Sequence, residues 1–148
     1  MTPRQIEIVR QSFGQIMPFK DQVIELFYCR LFELDPSIRL MFKSDMTEQR
    51  QKLTAALAMV ISRLETMESL LPVLRELGRR HKGYGVRNRQ YDLVGEALLW
   101  TLEIGLSSNW TSELAEAWKG AYGQVVNAMI EGAESPEPER RPARRAAE

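Results

Sequence analysis

The one histidine of this chain, His81, is the residue whose type most readily does chemistry. It ends the run Leu70-Leu71-Pro72-Val73-Leu74-Arg75-Glu76-Leu77-Gly78-Arg79-Arg80-His81, whose apolar residues recur at helical spacing. A glycine corner, Gly83-Tyr84-Gly85-Val86, follows at once. An imidazole in this place is either a core or surface histidine, or the single neutral nitrogen that a five-coordinate haem iron needs. Deciding between them takes a second set of residues on the opposite wall of a pocket. That set must offer a hydrogen-bond donor to a diatomic ligand carrying partial negative charge, within surroundings otherwise apolar enough to slow water entry.

The elements that must position such a set all read as helix. Thr2-Pro3 with Gln5 forms an N-cap, a first-turn proline and a capping-box partner, and Ile6, Val9, Phe13 and Ile16 follow on one face. Val23, Ile24, Phe27, Tyr28, Leu31 and Phe32 make a second amphipathic run, ended by Asp35-Pro36, which caps a short helix through Ile38 and Leu40. Asp45 and Glu48 are expected to cap a third, with Gln49, Leu53, Ala56, Val60 and Leu64 on its inner face. Ser69 is expected to open the histidine helix, with Pro72 tolerated in its first turn. Asn88 starts another helix (Tyr91, Val94, Leu98, Trp100, Leu102), ended by Gly105 and Ser107-Ser108-Asn109. Thr111 starts the last, with Leu114, Trp118, Ala121, Tyr122, Val125, Met129 and Ile130. No segment alternates with the period of a half-buried strand, so the fold class is all-α.

Composition narrows the function classes. A chain of 148 residues is the size of one domain with a real core. Lys+Arg and Asp+Glu number 20 each, which gives no electrostatic case for nucleic acid or an anionic membrane as partner. The lone cysteine, Cys29, excludes an intrachain disulfide, fits a reducing compartment and is either a small buried hydrophobe or a redox site. No Cys-x-x-Cys-His occurs, so haem is not attached covalently through that motif. Charged residues break the first 19 positions, which therefore read neither as a signal segment nor as a membrane span. The expectation is a soluble cytoplasmic protein. Residues 1–133 read as the domain and 134–148 as a disordered tail rich in Pro, Arg and Glu, whose apolar side chains are no larger than alanine.

Six blocks then occur in a telling order: Leu26-Phe27-Tyr28, Met41-Phe42, Gln49-Arg50-Gln51-Lys52-Leu53, Leu77-Gly78-Arg79-Arg80-His81-Lys82, Tyr91-Asp92-Leu93-Val94-Gly95-Glu96, and Ala117-Trp118-Lys119-Gly120-Ala121-Tyr122-Gly123. From Gln5 to Met129 the chain resembles bacterial single-domain globins. It looks close to neuroglobin and Hell's Gate globin, and is more distantly similar to the globin domain of flavohaemoglobins. The resemblance implies a fold of about seven to eight helices, three over three around a non-covalent haem b. It makes His81 the proximal ligand, its other ring nitrogen donating to a backbone carbonyl one turn earlier. Phe42 would pack on the haem face, and Tyr28, Gln49 and Leu53 would line the distal side. Leu77, Val86, Tyr91 and Val94 would line the pocket below. Lys52 and Arg80 stand where propionate partners would be, or are solvated surface charges.

Two departures bear on activity. With no second histidine, bis-histidine coordination is impossible within this chain, so a five-coordinate or weakly occupied ferrous iron is expected, while Tyr28 or Gln49 could still approach ferric iron. Flavohaemoglobins also pair the proximal histidine with a tyrosine, matched by Tyr91, and a glutamate whose place reads Ala133 here, with Glu131 and Glu134 off register. Its loss weakens electron donation toward the iron. The function implied is reversible binding of O2, CO and NO with slow O2 release. The alternative is NO dioxygenation by Tyr28 and Gln49 with a separate reductase, since the chain has no glycine-rich nucleotide motif and too little length for a flavin domain. A haem-free interaction module is a third class. The expected assembly is a monomer or weak homodimer.

Overall fold

The Thr2 hydroxyl accepts the Gln5 backbone N–H at 3.1 Å, and the Gln5 side chain accepts the Thr2 N–H at 2.9 Å, so the first helix starts where its capping box puts it. The computed structural model describes residues 1–135, and among them the regular structure is helical throughout. Six α-helices are present: α1 (Pro3–Ile16), α2 (Lys20–Leu34), α3 (Thr47–Ser62), α4 (Leu71–Gly83), α5 (Asn88–Leu106) and α6 (Ser112–Glu134). Short 3-10 helices at Met17–Phe19, Pro36–Met41, Leu64–Leu70 and Ser107–Asn109 lie between them, so the α-helices are slightly fewer than the seven to eight expected. Asp35 caps the second of these by accepting the Ser37 N–H at 3.0 Å, and Thr111 caps α6 by accepting the Leu114 N–H at 3.1 Å. No described helix is long and apolar enough to cross a membrane.

Four expected boundaries shift. Ser69 lies inside the Leu64–Leu70 turn, donating to the Thr66 carbonyl at 2.7 Å, and α4 opens at Leu71 with Pro72 in its first turn. The hydroxyl prefers its local carbonyl, and proline needs no N–H partner at a helix start. Asp45 accepts the Thr47 N–H at 3.0 Å from just outside α3, while the N-cap position itself is Met46. Glu48 in the first turn pairs with Lys52 at 3.7 Å and does not cap. Gly105 stays helical, and α5 ends at Leu106 with Ser107 as its C-cap, which takes a positive φ of 52°. Glu134 closes α6, beyond the expected start of the tail, and residues 136–148 lie outside the described residues.

The strongest helix pairings are α4 with α6 and α2 with α5; α1 packs on α6 and α5, and α3 on α2. One apolar cluster joins α1, α4, α5 and α6 through Val9, Leu74, Leu102, Ala117 and Met129; a second joins α2 to α5 through Phe27, Tyr28, Leu31 and Ala97. Trp118 donates to the Ser12 hydroxyl at 2.9 Å, which donates to the Val9 carbonyl at 2.8 Å, so the buried polar groups between α1 and α6 are satisfied. The closest approach is between α4 and α6. A Cβ on Gly78 would sit 1.9 Å from the Met129 carbonyl oxygen, and one on Gly132 would sit 2.1 Å from that of Arg75. Around this contact Arg75 pairs with Glu131 at 2.9 Å, and Arg79 and Lys82 donate to the carbonyls of Gly132 and Ala133. Cations on the last turn of α6 also complement its dipole.

Gly132→Ala should destabilise the protein by about 3 kcal/mol, because two backbones would have to separate. Relieving the positive φ with Ser107→Gly should stabilise it by about 1 kcal/mol. Urea unfolding of both variants measures the two effects against the wild type.

Candidate functional site

Between the two apolar clusters lies a cavity of about 760 Å³. Small-molecule and cofactor sites usually run from about 300 to 1,000 Å³. Leu53, Ala56, Leu57 and Val60 of α3 face it and stay half-buried, because that apolar face meets open volume where packed side chains would otherwise lie.

His81 reaches the cavity from the last turn of α4. Its Nδ1 lies 2.9 Å from the Leu77 carbonyl oxygen, the bond expected one turn earlier. A carbonyl can only accept, so Nδ1 carries the proton and Nε2 keeps its lone pair. Burial holds the imidazole pKa below 6.5 against the raising effect of the Leu77 hydrogen bond, and Arg80 adds to the depression. The ring is therefore neutral at pH 7. Tyr91 stacks on it with ring centroids 6.4 Å apart and planes 23° apart. The Tyr91 carbonyl in turn accepts from the Tyr122 hydroxyl at 2.6 Å, which ties α5 to α6 below the ring.

Tyr28 lines the same cavity from α2 and is only 4 % exposed. Phe27 meets its ring edge-on at 5.0 Å and Phe42 at 5.8 Å, which fixes the phenol. Gln49 of α3 donates from Nε2 to the Tyr28 hydroxyl oxygen at 3.1 Å. Among the described residues no group accepts the hydroxyl's own hydrogen. Burial raises the Tyr28 pKa above 10 more than Gln49 and Arg50 lower it, so the phenol keeps its proton. The cavity thus holds a lone-pair nitrogen, and a phenolic O–H backed by an amide.

The other residues singled out from the sequence gather here too. Phe42, Leu53, Leu77, Val86, Tyr91 and Val94 line the cavity, and Lys52 and Arg80 stand on its rim. Cys29 is exposed and borders a separate outer cleft, which corrects its expected burial: one residue along a helix from Tyr28 turns a side chain about 100° away from the cavity. Glu131 and Glu134 are engaged by Arg75 and Asn88, so neither reaches His81. Sequence reasoning missed Tyr84 and Met41, exposed residues that also line the cavity. Their place in the corners beside His81 and Phe42 was the available signal. It also missed Tyr122 as the clamp on Tyr91, a link no local pattern reveals.

With no cofactor bound, the His81 ring should titrate below pH 6.5 by NMR. A buried histidine whose folded pKa is lowered binds fewer protons than the unfolded chain does. The cofactor-free protein should therefore lose stability as pH falls through 6.5 and below, and pH-dependent unfolding checks the sign.

Comparison with known proteins gives a consistent result. The Globin family model matches residues 25–129. The flavohemoprotein of Rhizobium meliloti is 31% identical over 138 residues, covering 91% of this chain and 34% of that protein, so the chain spans about a third of that relative. Neuroglobin of Danio rerio is 31% identical over 139 residues, covering 84% of this chain and 87% of neuroglobin. A bacterial globin from Campylobacter jejuni superposes with a TM-score of 0.78 at 24% identity, covering 90% of this chain and 96% of that one, a likeness that bears on the fold. The chain belongs to the globin family.

Proposed function

We propose that this chain is a haem globin that binds O2, and CO and NO likewise, reversibly and with slow O2 release. One observation carries the proposal: a histidine with its Nδ1 already committed and a tyrosine–glutamine donor pair line one largely apolar cavity. The residues fit haem b. Nε2 of His81 is free to ligate, Phe42 offers a flat apolar face, and Lys52 and Arg80 on the rim suit the propionates. The group, when bound, supplies an iron at which a diatomic gas attaches.

The chain's own residues set how long the gas stays. The Tyr28 hydroxyl accepts from Gln49 and so turns its hydrogen elsewhere, which makes it the principal donor to a ligand; Gln49 acts largely by holding it. A hydrogen bond worth about 1 kcal/mol or more slows dissociation several-fold. The apolar walls slow water entry and protect the ferrous state. Cytoplasmic placement suits the exposed free thiol of Cys29, and a monomer or weak homodimer is the proposed assembly.

NO dioxygenation with electrons from a separate reductase is the second possibility, and similarity to the flavohemoprotein favours it. Against efficient turnover, His81 bonds a neutral carbonyl where a carboxylate would make the ring a stronger donor. Nitrate measured under NO with a generic reductase discriminates: one equivalent without cycling supports binding, and sustained turnover supports the enzyme.

Tyr28→Phe should raise the O2 dissociation rate about tenfold or more and Gln49→Leu several-fold, both hastening oxidation of the iron. Stopped-flow displacement of O2 by CO measures this. Unchanged release in both variants would refute the distal assignment.

A further inference from the structure

Met41 is the one methionine of seven that stands exposed, and a hydrogen-bond donor is already aimed at its sulfur. It ends the 3-10 turn Pro36–Met41 and is 37 % exposed, while the other six are buried or half-buried. Gln90, in the first turn of α5, donates from Nε2 to the Met41 Sδ at 3.8 Å. The heading of that amide is fixed from its other end. Its Oε1 accepts the Arg87 backbone N–H at 2.8 Å, which leaves Nε2 as the atom turned toward Met41. Both residues line the cavity, so their contact lies on its rim.

A thioether sulfur is a weak acceptor, so this tie is loose. The corner that follows Met41 is well held within itself, because Arg39 donates to the carbonyls of Phe42, Lys43 and Ser44 at 3.3, 3.0 and 3.2 Å. Its polar ties to α5 among the described residues are weak: this one, and the Asp35–Arg89 pair at 3.5 Å, whose arginine lies largely in water. A stronger acceptor at Met41 would therefore change how firmly the corner, Phe42 included, is held against α5. Oxidation supplies one. A sulfur lone pair attacks a peroxide oxygen, the O–O bond breaks, and the departing hydroxide takes a proton and leaves as water. The sulfur loses two electrons and the peroxide gains them. The sulfoxide carries its acceptor oxygen one bond beyond the sulfur, which brings the acceptor into the range of about 2.7–3.2 Å normal for N–H···O. Three rotatable bonds let the exposed side chain turn that oxygen to the amide.

We propose that Met41 is an oxidation site, a thioether that hydrogen peroxide converts to the sulfoxide and that Gln90 then latches, fastening the Phe42 corner to α5 across the rim of the cavity. The sulfur and its waiting donor are independent of what the cavity holds. A nearby source of peroxide, the two-electron reduction product of O2, rests on the function proposed above.

The test uses the purified full chain under CO, which keeps peroxide from any bound iron. After dilute hydrogen peroxide, peptide mass spectrometry should show Met41 gaining one oxygen several-fold faster than any of the other six methionines. By NMR the Gln90 side-chain amide should shift, and its hydrogen exchange should slow about fivefold, the effect of one neutral hydrogen bond. Transfer of haem to a haem-free acceptor protein should slow several-fold on oxidation. Gln90→Glu keeps an acceptor for the Arg87 N–H and removes the donor, so Met41 should oxidise there without slowing haem transfer. In Met41→Leu peroxide should change neither the Gln90 amide nor haem transfer. Oxidation of Met41 no faster than that of the half-buried methionines would overturn the site. A Met41 sulfoxide that leaves the Gln90 amide unmoved would overturn the latch, and haem transfer slowed equally in Gln90→Glu would assign the effect to something other than Gln90. A chain that takes up no haem would refute the proposed function, while the mass and amide measurements would still decide the latch.

Discussion

The backbone-to-backbone approach of α4 and α6 is the constraint on which the rest depends. Gly78 and Gly132 each face a carbonyl of the other helix at a distance that leaves no room for a side chain. Such a contact tolerates neither rotation nor sliding of α4, and His81 follows Gly78 by less than one turn. The height and heading of the imidazole at the cavity are therefore set by a glycine contact just under one turn earlier, about 60° around the same helix. The Leu77 carbonyl then fixes the remaining freedom, the turn of the ring about its own bond, and with it the tautomer.

Across the cavity the same logic works with different parts. Tyr28 is wedged among Phe27, Phe32 and Phe42, and its oxygen takes the amide hydrogen of Gln49. Burial keeps both titratable groups uncharged, lowering the imidazole pKa and raising that of the phenol. The site thus presents a neutral lone pair on one wall and a neutral O–H on another, in volume that α3 covers loosely. Neutral groups need no counterions in a low-dielectric space, and preoriented ones need little reorganisation when a polar ligand arrives.

Much of this was legible in the residues. Local signals act through nearest neighbours, so Thr2 and Gln5, Asp35 and Ser37, and Thr111 and Leu114 cap helices as expected. The apolar face of α3 was visible as periodicity, while the residues that gather around His81 were picked out by the resemblance to globins, since each alone reads as ordinary core. Where two local preferences competed the outcome was not legible: Ser69 bonded back to Thr66 and left the start of α4 to Leu71 and Pro72. Contacts between distant segments were also hidden. The Gly78–Met129 and Gly132–Arg75 approaches leave no pattern in one sequence, since a glycine reads the same in a turn, a solvated face or a helix crossing. The orientation of Cys29 was lost because its type suggests burial while its register next to Tyr28 turns it outward.

The measurement closest to the centre of this account is the optical spectrum of the ferrous protein reconstituted with iron protoporphyrin, before and after CO, for the wild type and His81→Ala. The account predicts a five-coordinate spectrum in the wild type that converts fully on adding CO, and loss of that proximal coordination in the variant. A protein that stays colourless, or a variant whose axial coordination matches the wild type, would contradict it.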